Sequence, residues 1–204
     1  MREARAIAAL RWEHEQQAAA VLARAFVDDP LVMAIWAAPA AERQQRILWG
    51  FRVALRSQCL AAQPAWAMLD AGGGLIGVVL VTRAHAAAPV AARSDLLFTL
   101  RGFRHVGVRA GLRGFRAAQL IAAQTPREPF TYLRTLGVDP AFQRHGVGAR
   151  LVEHVLRTAP ASVPVYLETA KEGNLPFYAR HGFECRGEFS CLGVRVWRLL
   201  RPAA

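Results

Sequence analysis

Cysteine is scarce in this 204-residue sequence: Cys59, Cys185 and Cys191 are the only three. So odd and sparse a set excludes a disulfide framework and any paired metal-ligand spacing. The three read as reduced thiols packed like small hydrophobes, with a Cys185–Cys191 bridge across an intervening turn as the open alternative. Lysine is scarcer still, since Lys171 is the sole lysine among 26 basic residues. There is no run of about 20 apolar residues, so a membrane-spanning helix is excluded. The N-terminus lacks the basic head and apolar stretch of a signal peptide, its charges being spread over Arg2, Glu3, Arg5, Glu13 and Glu15; a cytoplasmic location is expected. No internal repeat, low-complexity linker or domain boundary is visible, so residues 1–204 are expected to form one domain. The six histidines, at 14, 85, 105, 145, 154 and 181, show no metal-ligand spacing with each other or with the cysteines, and no metal is predicted.

What the sequence does have is arginine. Its net charge of +11 comes with a hydrophobic share of 53% and a charged share of 20%, a folded composition. A basic surface attracts phosphate-bearing molecules, whether nucleic acid, an anionic membrane or a phosphorylated small molecule. Periodicity predicts a helix over 12–27, with Ala18, Val21, Leu22, Ala25 and Phe26 on one face, stopped by Asp28-Asp29-Pro30. A second helix is predicted over 41–61, with Ile47, Leu48, Phe51, Leu55 and Cys59 on one side. Strands at 65–70 and 75–82 flank Gly72-Gly73-Gly74, and the apolar run from Leu75 to Val81 suits a strand buried on both faces. A basic, partly amphipathic insert covers about 90–125, helical over 94–122 with interruptions at Gly102, Gly107, Gly111 and Gly114. A strand at 130–138 stops at Asp139-Pro140. A helix at 146–158 turns Val147, Leu151, Val152, Val155 and Leu156 inward. A strand at 164–169, a short helix near 174–181 and strands at 184–189 and 192–200 complete the chain. The fold class implied is α/β, a mixed central sheet with helices on both faces.

The stretch Leu136-Gly137-Val138-Asp139-Pro140-Ala141-Phe142-Gln143-Arg144-His145-Gly146-Val147-Gly148-Ala149 joins a strand to a helix. Gly146 and Gly148 let backbone amides approach a ligand closely. Those amides open a helix, where N–H groups are unpaired and the dipole is positive, so a phosphate is the natural occupant. Arg144 and His145 add charge or hydrogen bonds. The loop lacks the Gly-Lys-Ser/Thr ending of a P-loop, and also the third glycine and downstream acid of a dinucleotide fingerprint.

This pattern resembles the GCN5-related N-acetyltransferase (GNAT) superfamily. Its Gln/Arg-x-x-Gly-x-Gly/Ala signature reads here Gln143-x-x-Gly146-x-Gly148, entered through Val138-Asp139-Pro140. A second segment, Tyr166-Leu167-Glu168-Thr169 followed by Asn174 through Tyr178 to Gly182-Phe183, is similar to the family's closing motif. The resemblance is strong over 130–190 and weaker at Ala25–Leu31. It implies a GNAT fold and acetyl-CoA as cosubstrate, with the diphosphate on Gln143, Arg144, His145, Gly146, Val147, Gly148 and Ala149. It also implies that the pantetheine arm lies along the main chain of Leu136, Gly137 and Val138, and that Asn174 binds the arm or orders its loop.

The implied activity is transfer of an acetyl group to an amine, most simply that of a small molecule, by direct attack on the thioester. Tyr178 occupies the family's general-acid position, and a phenol is protonated at neutral pH. Glu168 is the expected base, directly or through water, against the alternative of a solvated or ion-paired carboxylate; Asp28, Asp29 and Glu172 are weaker choices. Two other readings stand beside this one. Arg93, Arg101, Arg104, Arg109, Arg113 and Arg116, interleaved with Phe98, Phe103 and Phe115, raise a nucleic-acid or membrane-surface module. Their spacing beside Leu97, Leu100 and Leu112 reads instead as the solvated face of an amphipathic helix, in an insert that covers the acceptor site. A non-catalytic CoA sensor is the other reading, and retention of Tyr178 argues against it. A monomer or homodimer is expected.

Overall fold

The computed structural model describes residues 6–84 and 106–203. Its centre is one seven-stranded sheet, β1 (Ile7–Ala9), β2 (Ala65–Leu69), β3 (Leu75–Ala84), β4 (Phe130–Val138), β5 (Val165–Thr169), β6 (Glu184–Cys191) and β7 (Val194–Arg201), ordered β1-β2-β3-β4-β5-β7-β6. Every neighbouring pair is antiparallel except β4 and β5, which are parallel. The helices are α1 (Glu15–Ala25), α2 (Pro30–Ile35), α3 (Ala40–Leu60), α4 (Val108–Ala122), α5 (Val147–Thr158) and α6 (Leu175–Ala179). The α/β class and the two-sided covering are as the sequence implied. The all-apolar stretch of β3 is buried throughout from Leu75 to Val81, because α1 and α5 cover its two faces.

Alternation along the strands sorts the core into two layers. One face of the sheet packs Met68, Ile76, Val79, Leu133, Leu167 and Leu199 against Val147, Leu151, Val152 and Val155 of α5. The other packs Ala67, Val78 and Leu80 against Ala18, Val21 and Leu22 of α1 and Leu55 of α3. Burying a Leu or Val side chain contributes roughly 1.5–3 kcal/mol, so each helix is held chiefly by its apolar stripe. Glu15 adds a lock between α1 and α3, accepting from Arg52 Nε at 2.7 Å and Arg56 Nε at 3.0 Å. Gly137 sits where α1 crosses β4. A Cβ there would stand 2.6 Å from Leu22 Cδ2 and 3.2 Å from Ala25 Cβ, so only glycine permits this close approach.

Several expectations are corrected. A short edge strand, β1, pairs with β2 where no strand was predicted, because three residues carry too little alternation to be seen. Asp28-Asp29-Pro30 does end α1, but Asp29 also begins α2: its carboxylate accepts from Leu31 N and Val32 N, both at 3.0 Å. The helix of the basic insert runs unbroken through Gly111 and Gly114. Its buried side is Ala110 and Ala117, whereas Val108, Leu112 and Phe115 are more than 60% exposed. Arg109 and Arg116 are exposed as expected, whereas Arg113 is half-buried: its Nε donates to the Ile35 carbonyl at 3.0 Å and ties α4 to α2. The rest of the insert, including Arg93, Phe98, Arg101, Phe103 and Arg104, lies outside the described residues. Cys185 and Cys191 do not flank a turn. Both lie on β6, six residues apart along an extended strand, and both are free thiols. At about 3.3 Å per residue that separation is far beyond disulfide reach.

Candidate active site

The loop after β4 is built from its own hydrogen bonds. Asp139 accepts from Ala141 N at 3.1 Å, and its other oxygen takes the Arg24 guanidinium of α1 at 2.9 and 2.5 Å. Gln143 Nε2 returns to the Val138 carbonyl at 3.1 Å, and His145 Nδ1 lies 2.7 Å from the Gln143 carbonyl. Arg144 (φ 61°) and Gly146 (φ 78°) then take left-handed conformations that aim the chain into α5. A Cβ on Gly146 would meet nothing within 4 Å, so no packed side chain fills the bend. Residues 143–146 are exposed while Val147 turns into the core. Arg150 N makes the bond to the Gly146 carbonyl that opens the helix. The N–H groups of Val147, Gly148 and Ala149 therefore have no intrahelical acceptor and point out of the N-terminal end of a three-turn helix, toward the exposed loop.

Below this loop the parallel pair comes apart. β4 and β5 are in register only at Thr131↔Val165 and Tyr132↔Tyr166. Farther along, Leu136, Gly137 and Val138 stay paired with Val79, Val78 and Gly77 of β3. Leu167, Glu168 and Thr169 stay paired with Leu199, Arg198 and Trp197 of β7. Each strand thus keeps its outer neighbour and loses its inner one, which leaves a gap edged by main chain. On that edge, the Val138 carbonyl is already satisfied by Gln143. A concavity lined by Ala9, Trp12, Cys59 and Trp66 lies elsewhere, beside β1 and β2, away from this gap.

The predicted acid and base are not brought into one cluster; they lie on opposite faces of the sheet. Tyr178, on α6, is buried on the α5 side with Leu167, Phe177 and Phe183. Burial pushes its phenol pKa upward, which keeps it protonated. Among the described residues its hydroxyl has no hydrogen-bond partner. Glu168 follows Leu167 and so projects from the opposite face. There Tyr132 donates to Glu168 Oε2 at 2.6 Å, while Oε1 is sealed from solvent without a partner. Burial raises the Glu168 carboxyl from its ordinary 4.5 to about 7, against the lowering effect of the Tyr132 and Tyr166 hydroxyls and, more weakly, of nearby Arg134. Tyr166 lies in the same aromatic group, with its hydroxyl 3.4 Å from the Gln124 carbonyl. The hydrogen bond on Glu168 with a defined short geometry is the one from Tyr132.

Asn174 has a defined partner: its Nδ2 donates to Thr169 Oγ1 at 3.0 Å, and the same oxygen accepts from Lys171 N at 3.3 Å. It therefore ties the turn after β5 to the strand end. Of the weaker bases, Asp29 is spent on capping α2, and Asp28 and Glu172 are exposed. Sequence reasoning missed Tyr132, Arg24, Arg134 and Arg198. No local signal marks them, because Tyr132 meets Glu168 across 36 residues and Arg24 meets Asp139 across 115. Among the described residues no group of His, Cys, Asp and Glu could hold a metal. No helix there is long and apolar enough to cross a membrane.

Comparison with known proteins bears on the family and the fold. Over 85 residues the chain is 40% identical to N-alpha-acetyltransferase RimI of Mycobacterium tuberculosis, covering 39% of this chain and about half (51%) of that protein. A solved structure of histone acetyltransferase HPA2 and related acetyltransferase from Corynebacterium glutamicum superposes with a TM-score of 0.76 at 20% identity, over 99% of this chain and 98% of that one. Arylalkylamine N-acetyltransferase 2 of Aedes aegypti superposes with a TM-score of 0.59 at 12% identity, over 99% and 100%. At these identities the structures speak for the fold. The acetyltransferase (GNAT) family model matches residues 56–183, well over half of the chain, and the chain belongs to that family.

Proposed function

We propose that this protein moves an acetyl group from acetyl-CoA to an amine of a small molecule. The observation that carries the reading is the β4–β5 gap, with free amides at its head and one titratable group on each side. In this reading the N–H groups of Val147, Gly148 and Ala149, with Gly146, Arg144 and His145 beside them, hold the diphosphate. Gln143 shapes the loop through the Val138 carbonyl. The main chain of Leu136, Gly137 and Val138 guides the pantetheine arm into the gap, and Asn174 fixes the far rim through Thr169.

The chemistry then divides between the faces of the sheet. Glu168 takes one proton from the acceptor ammonium, which frees the lone pair that bonds to the thioester carbonyl carbon, and the nitrogen then sheds its second proton to solvent. The carbon–sulfur bond breaks, and Tyr178 gives its proton to the departing sulfur. A carboxyl near 7 is a suitable base, since a catalytic pKa close to the working pH balances proton affinity against availability. The products are the N-acetyl amine and free CoA thiol. The whole chain forms one catalytic domain in this reading, with the acceptor entering on the Glu168 side.

A thiol-release assay with acetyl-CoA across a panel of amines, run beside a CoA thermal-shift series, tests the proposal. CoA should raise the melting temperature, and at least one amine should release thiol in step with its acetylation. CoA binding without transfer to any amine would favour a CoA sensor instead.

A further inference from the structure

On the Glu168 side of the sheet, two buried polar atoms of opposite charge have no hydrogen-bond partner among the described residues: Glu168 Oε1 and Arg198 Nε. They belong to residues paired directly across β5 and β7, so both side chains leave the same face of adjacent strands. They nevertheless form no ion pair with each other. The guanidinium of Arg198 reaches instead toward β6, where Nη2 donates to the Arg186 carbonyl at 3.2 Å. Gly187 makes room for it: a Cβ there would stand 2.9 Å from Nη2, and the β6–β7 register breaks at this point. The backbone of β6 is thus shaped around the guanidinium, which keeps most of its five donors unused. Arg134 is a second cation in the same neighbourhood, half-buried, close enough to Glu168 to influence its charge and without an ion-pair partner among the described residues.

A buried polar atom left without a hydrogen-bond partner is costly unless one arrives. This side of the gap presents one carboxylate oxygen needing a cation and one or two cations needing an anion. A polyamine would satisfy only Glu168 and would be repelled by both arginines. An amine carrying its own carboxylate satisfies the set together. We propose that the acceptor is a free amino acid or an amino-acid-like zwitterion, whose ammonium meets Glu168 and whose carboxylate is anchored by Arg198. This inference rests on the acetyl-transfer reading above and adds the acceptor class to it. Arg198 acts on specificity, through the anchored end of the acceptor.

The test compares acceptors that differ only by the carboxylate. L-alanine and ethylamine, L-leucine and 3-methylbutylamine, and L-phenylalanine and 2-phenylethylamine are assayed for thiol release with acetyl-CoA, with spermidine and L-alanyl-alanine amide alongside. At least one amino acid should exceed its matched amine at least tenfold in kcat/KM, with spermidine poorer than either. Arg198→Met should shrink that ratio at least tenfold, mainly by raising KM for the amino acid, and Arg198→Lys should restore part of it. The inference is overturned if the matched amines or the dipeptide amide are used as well as the amino acids. It is equally overturned if Arg198→Met lowers both members of a pair alike, which would mean that Arg198 serves only Glu168 or the fold. The wild-type ratios alone decide between the acceptor classes even if the variants fold poorly. Failure of the transferase reading looks different: no amine of any kind then releases thiol, whatever CoA does to the melting temperature.

Discussion

Glu168 is held by opposing demands. Burial favours its neutral acid, the Tyr132 hydroxyl and nearby Arg134 favour its anion, and the balance falls at about 7. The acid limb of the pH–rate profile should therefore titrate near 7 in the wild type and disappear in Glu168→Gln; a retained limb would exclude Glu168 as base. Stability should respond with a definite sign. The folded carboxyl has the higher pKa, so it carries no penalty at pH 4, where both states are protonated. As pH rises from about 4.5 to 7 the unfolded chain ionises first and stability falls, with the full penalty present above 7. Glu168→Gln should therefore be more stable than the wild type by about 1–3 kcal/mol at pH 8 and equal to it near pH 4, as read by denaturant melts. Tyr178 differs, because burial raises its pKa and so keeps the proton that an acid must give. Tyr178→Phe should lower turnover by about 10²–10⁴-fold while calorimetry finds CoA affinity nearly unchanged.

At the scale of elements, the site depends on how α1 and α5 meet β4. Arg24 on α1 grips Asp139, so the entry to the loop is clamped by a helix more than a hundred residues earlier in the chain. Gly137 lets α1 lie close enough for that grip. Gly137→Ala should push α1 outward and cost about 1–3 kcal/mol, with CoA affinity falling as the clamp loosens; thermal melts and calorimetry would read the two effects. Unchanged stability would show that Leu22 and Ala25 have room to yield. The gap between β4 and β5 is likewise a property of paired elements. Each strand is fixed by its outer neighbour, so the divergence is built into the sheet and does not await a ligand.

For the whole molecule, a net charge of +11 and an open amide-lined loop should make CoA binding sensitive to salt. CoA at a hundred times its Kd should stabilise the protein by about 2.7 kcal/mol, and the melting shift should shrink as ionic strength rises from ~0.05 to ~0.5 M. A shift independent of salt would take the arginines out of cosubstrate recognition. The sequence by itself determined the parts that depend on neighbours along the chain. The loop from Gln143 to Ala149, the helix it opens, the unbroken apolar β3 and the boundaries of β4 are all local, since glycine conformation, helix-end amides and periodicity act over a few residues. It put Tyr178 on a short helix and Glu168 on a strand, where both stand. Only the tertiary structure decided that they stand on opposite faces of the sheet, that Tyr132 holds one Glu168 oxygen, and that Arg198 and Arg134 share its side. Those relations come from strand register and sheet order, which bring residues far apart in the chain into contact, and a one-residue shift of β5 would have turned Glu168 to the other face.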